Sequence, residues 1–255
     1  MHHLFKLLSG GDLYRAPFTR NNNNSTTSST SSTTPPSRVL DIGTGTAEWA
    51  IEMAEDFPTT TIYGTDLSPI QPSWGPPNCR FFIDDAESDW TFTPAEAFDY
   101  IHARSLGGGI ADWPRLLRQA YTHLKPGAWF EAQEFETLVY SDDGTHGYAT
   151  NILDWQERLN RASNQFGKPM NVASRLAEWM GEAGFVNVSD DIYKVSRVSS
   201  DDGYFPIPGD DPQYASQRGF PDYGQLIANL KFCCSAPSAA GPKTAVSKKS
   251  DASAK

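Results

Sequence analysis

Two short stretches of this 255-residue chain carry residues whose types and spacing could do chemistry. The first is Arg38-Val39-Leu40-Asp41-Ile42-Gly43-Thr44-Gly45-Thr46-Ala47. The second, about twenty residues further on, is Gly64-Thr65-Asp66-Leu67. Gly43 and Gly45 can take backbone angles closed to other residues, and they let a ligand approach the main chain closely. A carboxylate at Asp66 could accept two hydrogen bonds from vicinal ribose hydroxyls, the role that nucleotide-binding folds give an acidic residue at this spacing. A dinucleotide fingerprint would need a glycine at position 48. Glu48 stands there instead and would repel a pyrophosphate arriving at a helix N-terminus. Asp41, just ahead of Gly43, suits a cationic or amino-bearing ligand. S-adenosylmethionine carries a sulfonium and an α-amino group and lacks phosphates, so it fits these residues better than a nicotinamide dinucleotide.

Such residues work only if particular elements hold them. Arg38 to Ile42 is a short apolar run closed by a glycine turn, as expected of a buried parallel strand. Thr44 and Thr46 are good capping residues for a following helix, which Ala47, Ala50, Ile51, Ala54 and Phe57 mark by their spacing and Pro58 ends. Thr59 to Gly64, rich in β-branched residues, predicts a second strand ending at Thr65-Asp66. Further strands are expected near Cys79–Ile83, Phe98–His102 and Ala128–Phe135. A helix from Asp112 to Lys125 lies between the last two, with Asp112 as N-cap, Pro114 in its first turn and Trp113, Leu116, Leu117, Ala120 and Leu124 on one face. Strand–helix alternation predicts a parallel sheet with helices on both faces.

With these elements placed, the chain resembles the class I S-adenosylmethionine-dependent methyltransferases, and more narrowly the fungal LaeA-like methyltransferase family. Beside Val39–Thr46, the resemblance rests on Gly64–Pro72, Pro76–Phe81, Asp84–Glu87, Phe98–Arg104, Asp112–Gln119, Leu124–Gly127 and Gln133-Glu134. The opening His2–Phe5 and the Tyr14–Pro17 stretch also look like the family's segment ahead of the glycine loop. The likeness covers residues 1–20 and 37–195. It implies a Rossmann-like class I methyltransferase sheet with helices on both faces, S-adenosylmethionine as cofactor, and methyl transfer as the reaction.

Ligands in open α/β sheets bind at the carboxyl ends of the strands. On that basis Asp41, Gly43, Thr44 and Gly45 would face the methionine part of the cofactor. Asp66 would bind the ribose, with Leu67 beside the adenine. Asp85 would accept from the adenine amino group, and Ala86 would donate its N–H to the ring. His102 to Arg104 follow the fourth strand, where the methyl group should lie. Transfer from an activated sulfonium asks mainly for proximity and alignment, and a base only if the acceptor must lose a proton. His102, Glu131 and Glu134 are the nearby titratable groups; His102 has at least as good a reading as a buried strand histidine, Glu131 and Glu134 could contact substrate late in the fifth strand, and no catalytic residue is assigned. Trp74, Trp90 and Trp113 could wall a substrate pocket or simply pack. The acceptor is an unknown small molecule or protein, with a link to fungal secondary metabolism implied by the family. The alternative is a catalytically impaired regulatory or scaffolding protein that keeps the fold.

The formal net charge of −10 argues against a general nucleic-acid binder. Cys79, Cys233 and Cys234 lack zinc spacing and are too few for a disulfide scaffold, which fits a reducing compartment. No signal peptide, membrane span or metal site is expected. An intracellular location, cytoplasmic or nuclear, follows, with protein partners open.

The chain divides into a lid or packing segment at 1–19, a low-complexity insertion at 20–36 expected to be disordered, the cofactor-binding domain at 37–195, and a divergent, largely disordered tail at 196–255. Within the domain, Ile152, Trp155, Leu159, Ala162 and Phe166 form a helical stripe expected to pack on the core. A second helix, Val172 to Ala183, has Asn171 as cap and Gly184 as stop, and Phe185 to Val195 reads as a sixth strand. Two departures from the family pattern stand out. Ala47 replaces the third glycine of Asp-x-Gly-x-Gly-x-Gly. No convincing strand follows Val195, where the family has a closing hairpin; only Ile227 to Cys234 is apolar, with either helix or strand possible. The expectation is therefore an incomplete C-terminal hairpin, for which a truncated or altered gene model would account.

Overall fold

A computed structural model describes residues 2–18, 34–141, 144–197 and 226–237. Its elements are α1 (His2–Leu8), β1 (Arg38–Ile42), α2 (Glu48–Asp56), β2 (Thr61–Asp66), β3 (Cys79–Ile83), β4 (Phe98–Arg104), α3 (Trp113–His123), β5 (Leu124–Tyr140), α4 (Thr150–Phe166), α5 (Leu176–Ala183), β6 (Phe185–Arg197) and β7 (Leu226–Pro237). They form one sheet in the order β3-β2-β1-β4-β5-β7-β6. The first five strands are mutually parallel, and β7 runs antiparallel between β5 and β6.

The centre of the sheet is covered on both faces, and β1 and β4 are accordingly buried nearly throughout. Alternate residues serve opposite cores. Val39 and Tyr100 pack with Trp49, Ala50 and Met53 of α2, and with Leu13 and Ala16 of the N-terminal segment. Leu40, Ile42 and Ile101 pack with Trp113, Leu116 and Leu117 of α3, and with Leu176 and Met180 of α5. Asp112 caps α3 as expected, its Oδ1 accepting from the Arg115 N–H at 2.9 Å. Gly184 ends α5 with φ +106°, a value that favours glycine.

Four expectations need correction. The apolar stripe of α4 does not face the core: Trp155 is 57% and Phe166 79% exposed, whereas Gln156 and Ser163 are buried. This helix meets the sheet through a polar contact, Gln156 Oε1 accepting from the Val139 N–H at 2.8 Å, so spacing alone chose the wrong face. Neither Thr44 nor Thr46 caps α2; the N-cap is Ala47, at φ +65° and without a side-chain cap. The Thr44 hydroxyl turns to Asp41 instead. Asn171 does not cap a helix, because its Oδ1 accepts from the Thr137 N–H and hydroxyl at 2.9 and 2.6 Å.

The last correction is the largest. The C-terminal hairpin is present: β7, which contains the ambiguous Ile227–Cys234 run, pairs with β5 from Phe130↔Ser235 to Tyr140↔Ile227 and with β6 from Phe185↔Pro237 to Arg197↔Leu226. Strand preference depends on neighbours more than on the run itself. Here two open strand edges offer backbone partners on both sides, which an isolated segment cannot reveal. The rest of the expected tail, 198–225 and 238–255, lies outside the described residues. So does most of the expected 20–36 insertion; its last residue, Pro36, is buried, and its carbonyl accepts from the Thr60 hydroxyl at 2.5 Å.

Candidate functional site

The carboxyl ends of β1 and β2 are tied into one unit. Gly43 and Gly45 take φ of +64° and +56°, the left-handed region that side chains disfavour. A Cβ on Gly43 would also collide with the Leu106 side chain. The Thr44 N–H donates to the Thr65 carbonyl at 2.9 Å, and the Gly45 N–H to Asp66 Oδ2 at 2.8 Å. The other Asp66 oxygen accepts from the Ser68 N–H at 2.9 Å. Gln71 Nε2 donates to the Gly45 and Ser68 carbonyls, each at 2.9 Å. Leu67, next to Asp66, is 64% exposed.

Beneath the loop, Asp41 is a buried pillar. Its Oδ2 accepts from the Thr44 hydroxyl at 2.6 Å, and its Oδ1 lies 2.7 Å from His102 Nδ1. His102, its register partner on β4, is fully buried and stacked on Trp49 with ring centres 3.8 Å apart. This histidine therefore orients Asp41 within the sheet.

The third and fourth strand ends supply the remaining expected residues. The Asp84 N–H donates to the Asp66 carbonyl at 3.0 Å, placing the turn after β3 beside the tip of β2. Asp85 is exposed, with Oδ1 accepting from the Glu87 N–H at 2.9 Å. Ala86 is half-buried, and its carbonyl accepts from Trp90 Nε1 at 3.0 Å. Arg104 ends β4 with Nη1 donating to His2 Nδ1 at 3.1 Å and its guanidinium 5.5 Å from the Phe5 ring centre. Burial lowers the Arg104 pKa, opposed by the charges of Asp41, Glu48 and Glu52.

α1 lies against the end of β4 and the middle of α2. His2 Nε2 stands 3.3 Å from Glu52 Oε1, and Lys6 Nζ donates to Glu52 Oε2 at 2.6 Å. Burial, then the Arg104 charge, lowers the His2 pKa, which keeps Nδ1 free to accept from Arg104.

Of the three glutamates of β5, Glu131 and Glu134 are fully buried. Glu131 accepts from the Tyr100 hydroxyl at 2.6 Å, the Arg15 N–H at 2.8 Å and Gln133 Nε2 at 2.8 Å, so it ties the N-terminal segment to the sheet. Glu134 accepts from the Leu106 N–H at 2.5 Å and the Gly107 N–H at 3.1 Å. Among the tryptophans, Trp113 belongs to the core, Trp90 packs on Phe92 and His123, and Trp74 is 78% exposed. Sequence reasoning missed Leu106 and Gln71. The run Gly107-Gly108-Gly109 was the available signal for the first, since it marks a tightly packed turn after β4.

Comparison with known proteins places this geometry. The family model described as a methyltransferase domain matches residues 17–190. Methyltransferase pytC of Aspergillus terreus is 38% identical over 196 residues, covering 76% of this chain and 56% of that protein. The secondary metabolism regulator laeA of Aspergillus flavus is 36% identical over 192 residues, covering 73% and 47%. The protein-methionine methyltransferase laeA of Emericella nidulans is 36% identical over 157 residues, covering 61% and 41%. The chain thus spans about half the length of the curated relatives it matches. Among solved structures, the YcgJ protein of Bacillus subtilis shares the fold, with a TM-score of 0.51 at 17% identity over 79% of this chain and 92% of that one. With a family model spanning most of its length and LaeA-type fungal proteins among its relatives, the chain belongs to the methyltransferase-domain family.

Proposed function

We propose that this chain binds S-adenosylmethionine and transfers its methyl group to a small-molecule or protein acceptor. The observation that carries the reading is the bond between Asp66 and the Gly45 N–H, which joins a ribose-type carboxylate to a loop with two left-handed glycines. The residues fit the cofactor. Each Asp66 oxygen accepts one backbone N–H and keeps a lone pair for a hydroxyl. Exposed Glu48 in the first turn of α2 disfavours phosphate.

When bound, the cofactor supplies a methyl group already activated on a sulfonium. The residues of the chain bind and orient it. Asp66 holds the ribose, Leu67 and Ala86 flank the adenine, and Asp85 takes its amino group. Gly43, Thr44 and Gly45 shape the methionine end, where the buried Asp41 places negative charge. Arg104 stands at the β4 end under α1, and residues 1–19 act as a lid that excludes water.

Two observations support an enzyme over a scaffold. Ala47 is fully buried in the core with Trp49, so its methyl group points into packing. Its left-handed angle costs about 1–2 kcal/mol, which a well-packed core absorbs. The β7 strand also completes the sheet beside β5. A protein acceptor is compatible with the relative named as a protein-methionine methyltransferase, and a place in secondary metabolism with those named as its regulators. No helix among the described residues is long and apolar enough to cross a membrane, and a cytoplasmic or nuclear location is part of this proposal. The test is a labelled-methyl assay of the protein on a fungal cell extract. Label appearing in a product that depends on the protein supports the reading; none with wild type, where the cofactor binds, favours the scaffold.

A further inference from the structure

The turn after β4 is held by a carboxylate from the neighbouring strand. Glu134 is completely buried, and its two oxygens grip the consecutive N–H groups of Leu106 and Gly107. The turn is otherwise tight. Ser105 adopts φ +56°, uncommon for a residue with a side chain. A Cβ on Gly107 would stand 2.7 Å from the Met170 carbonyl. The Gly108 N–H donates to the Pro169 carbonyl at 2.9 Å, and Lys168 Nζ donates to the Gly109 carbonyl at 2.6 Å. The Leu106 side chain leaves this turn toward the cofactor loop and fills the space that a Cβ on Gly43 would need. A continuous path of contacts therefore runs from Glu134 through the Leu106 backbone to its side chain and onto Gly43.

We propose that Glu134 is a positioning residue: its carboxylate fixes the 105–107 turn, and thereby Leu106, as one wall of the cofactor loop. This rests on the methyltransferase reading given above. The grip belongs to the ionised form, because a carboxylate accepts on both oxygens whereas a carboxylic acid gives one of them to its proton. Burial pushes the Glu134 pKa up to about 7, against the pull of the two N–H groups, so the grip tightens across the neutral range. Among the described residues, Glu136 is buried two residues along the same strand, and the Lys168–Glu87 pair, 3.0 Å apart, meets the turn at the Gly109 carbonyl; Lys231 is the backbone register partner of Glu134 on β7.

The test uses the full chain and two readouts. The first is hydrogen exchange at the Leu106 and Gly107 amides, expressed as protection relative to an unstructured chain. The second is calorimetric titration with S-adenosylmethionine between pH 5.5 and 8.5. In wild type, protection and affinity should both rise as the pH passes about 7 and then level off. Glu134→Gln, left with one acceptor oxygen, should lose protection at one amide or both, bind several-fold more weakly and show no pH step in that window. Glu134→Asp, which keeps the charge, should restore the step in part. Leu106→Ala should weaken binding while the protection step survives, which separates the wall from the grip and controls for misfolding. Unchanged protection in Glu134→Gln overturns the grip. Lost protection with unchanged affinity overturns the positioning role. If wild type fails to bind the cofactor while its amides show the step, the cofactor reading falls and the positioning role falls with it, leaving the grip.

Discussion

Asp66 and Gly45 are joined by a hydrogen bond of 2.8 Å between a side-chain carboxylate and a backbone N–H. The acidic tip of β2 therefore builds the loop after β1 as well as offering the proposed ribose contact. Removing Asp66 should do more than delete that proposed contact. Asp66→Ala gives up bonds from the Gly45 and Ser68 N–H groups to a charged acceptor, each worth about 1.5–3 kcal/mol at most when well shielded. Urea unfolding without cofactor should show a loss of about 1–3 kcal/mol, and equal stability would mean the bond does not hold the loop.

Asp41 has both oxygens engaged, by Thr44 and His102, in a buried setting. Asp41→Ala strands a hydroxyl and an imidazole away from water, so unfolding free energy should fall by about 2–4 kcal/mol. Asp41→Asn keeps shape and one acceptor and should cost less. If both substitutions are neutral by denaturation, the pillar role is wrong.

Gly43 combines a left-handed angle with contact against Leu106. Gly43→Ala should lower stability by at least the ~1–2 kcal/mol of the backbone angle. Pairing it with Leu106→Ala should recover part of the loss, because the smaller side chain removes the collision. A double mutant no better than the single would place the whole cost in the backbone.

Glu134 makes the stability of the whole fold fall as pH rises, although the ionised carboxylate, while it stays buried, grips its own turn more tightly. Its folded pKa, raised to about 7 by burial, lies above its ordinary value of 4.5. The folded state then holds the proton more tightly, and its advantage is present below the unfolded value and lost as pH climbs through about 7. A shift of this size corresponds to about 3 kcal/mol. Thermal melts from pH 4.5 to 8 should show wild type losing ground to Glu134→Gln as pH rises. Parallel curves would place the carboxylate's pKa near its ordinary range.

The α4 stripe separates periodicity from burial. Trp155 is 57% exposed and Trp113 1%. Trp155→Ala should change unfolding free energy by less than about 0.5 kcal/mol, whereas Trp113→Ala should cost about 3–5 kcal/mol. Comparable losses from the two, measured by urea unfolding, would put α4 on the core.

These contrasts show what the sequence made legible. The first five strands, α3 with its Asp112 cap, and the meeting of Gly43, Gly45 and Asp66 could all be read, because each rests on local signals such as a buried apolar run, a capping residue or a glycine turn. The α4 face was misread because Gln156 docks that helix by a hydrogen bond, and no periodicity encodes a partner distant in the chain. β7 was ambiguous for a similar reason, its pairing being set by the open edges of β5 and β6. The roles of His102, Glu131 and Glu134 needed geometry, since the same residue types serve equally as bases or as internal supports.

The central claim is that the Gly43–Gly45 loop and Asp66 form an S-adenosylmethionine site. Calorimetric titration of the full chain with S-adenosylmethionine, alongside Asp66→Ala, tests it most directly. Saturable binding near one equivalent per chain is expected, weakened in the variant by at least about tenfold, or about 1.4 kcal/mol. No binding by wild type, or equal binding by the folded variant, would contradict it.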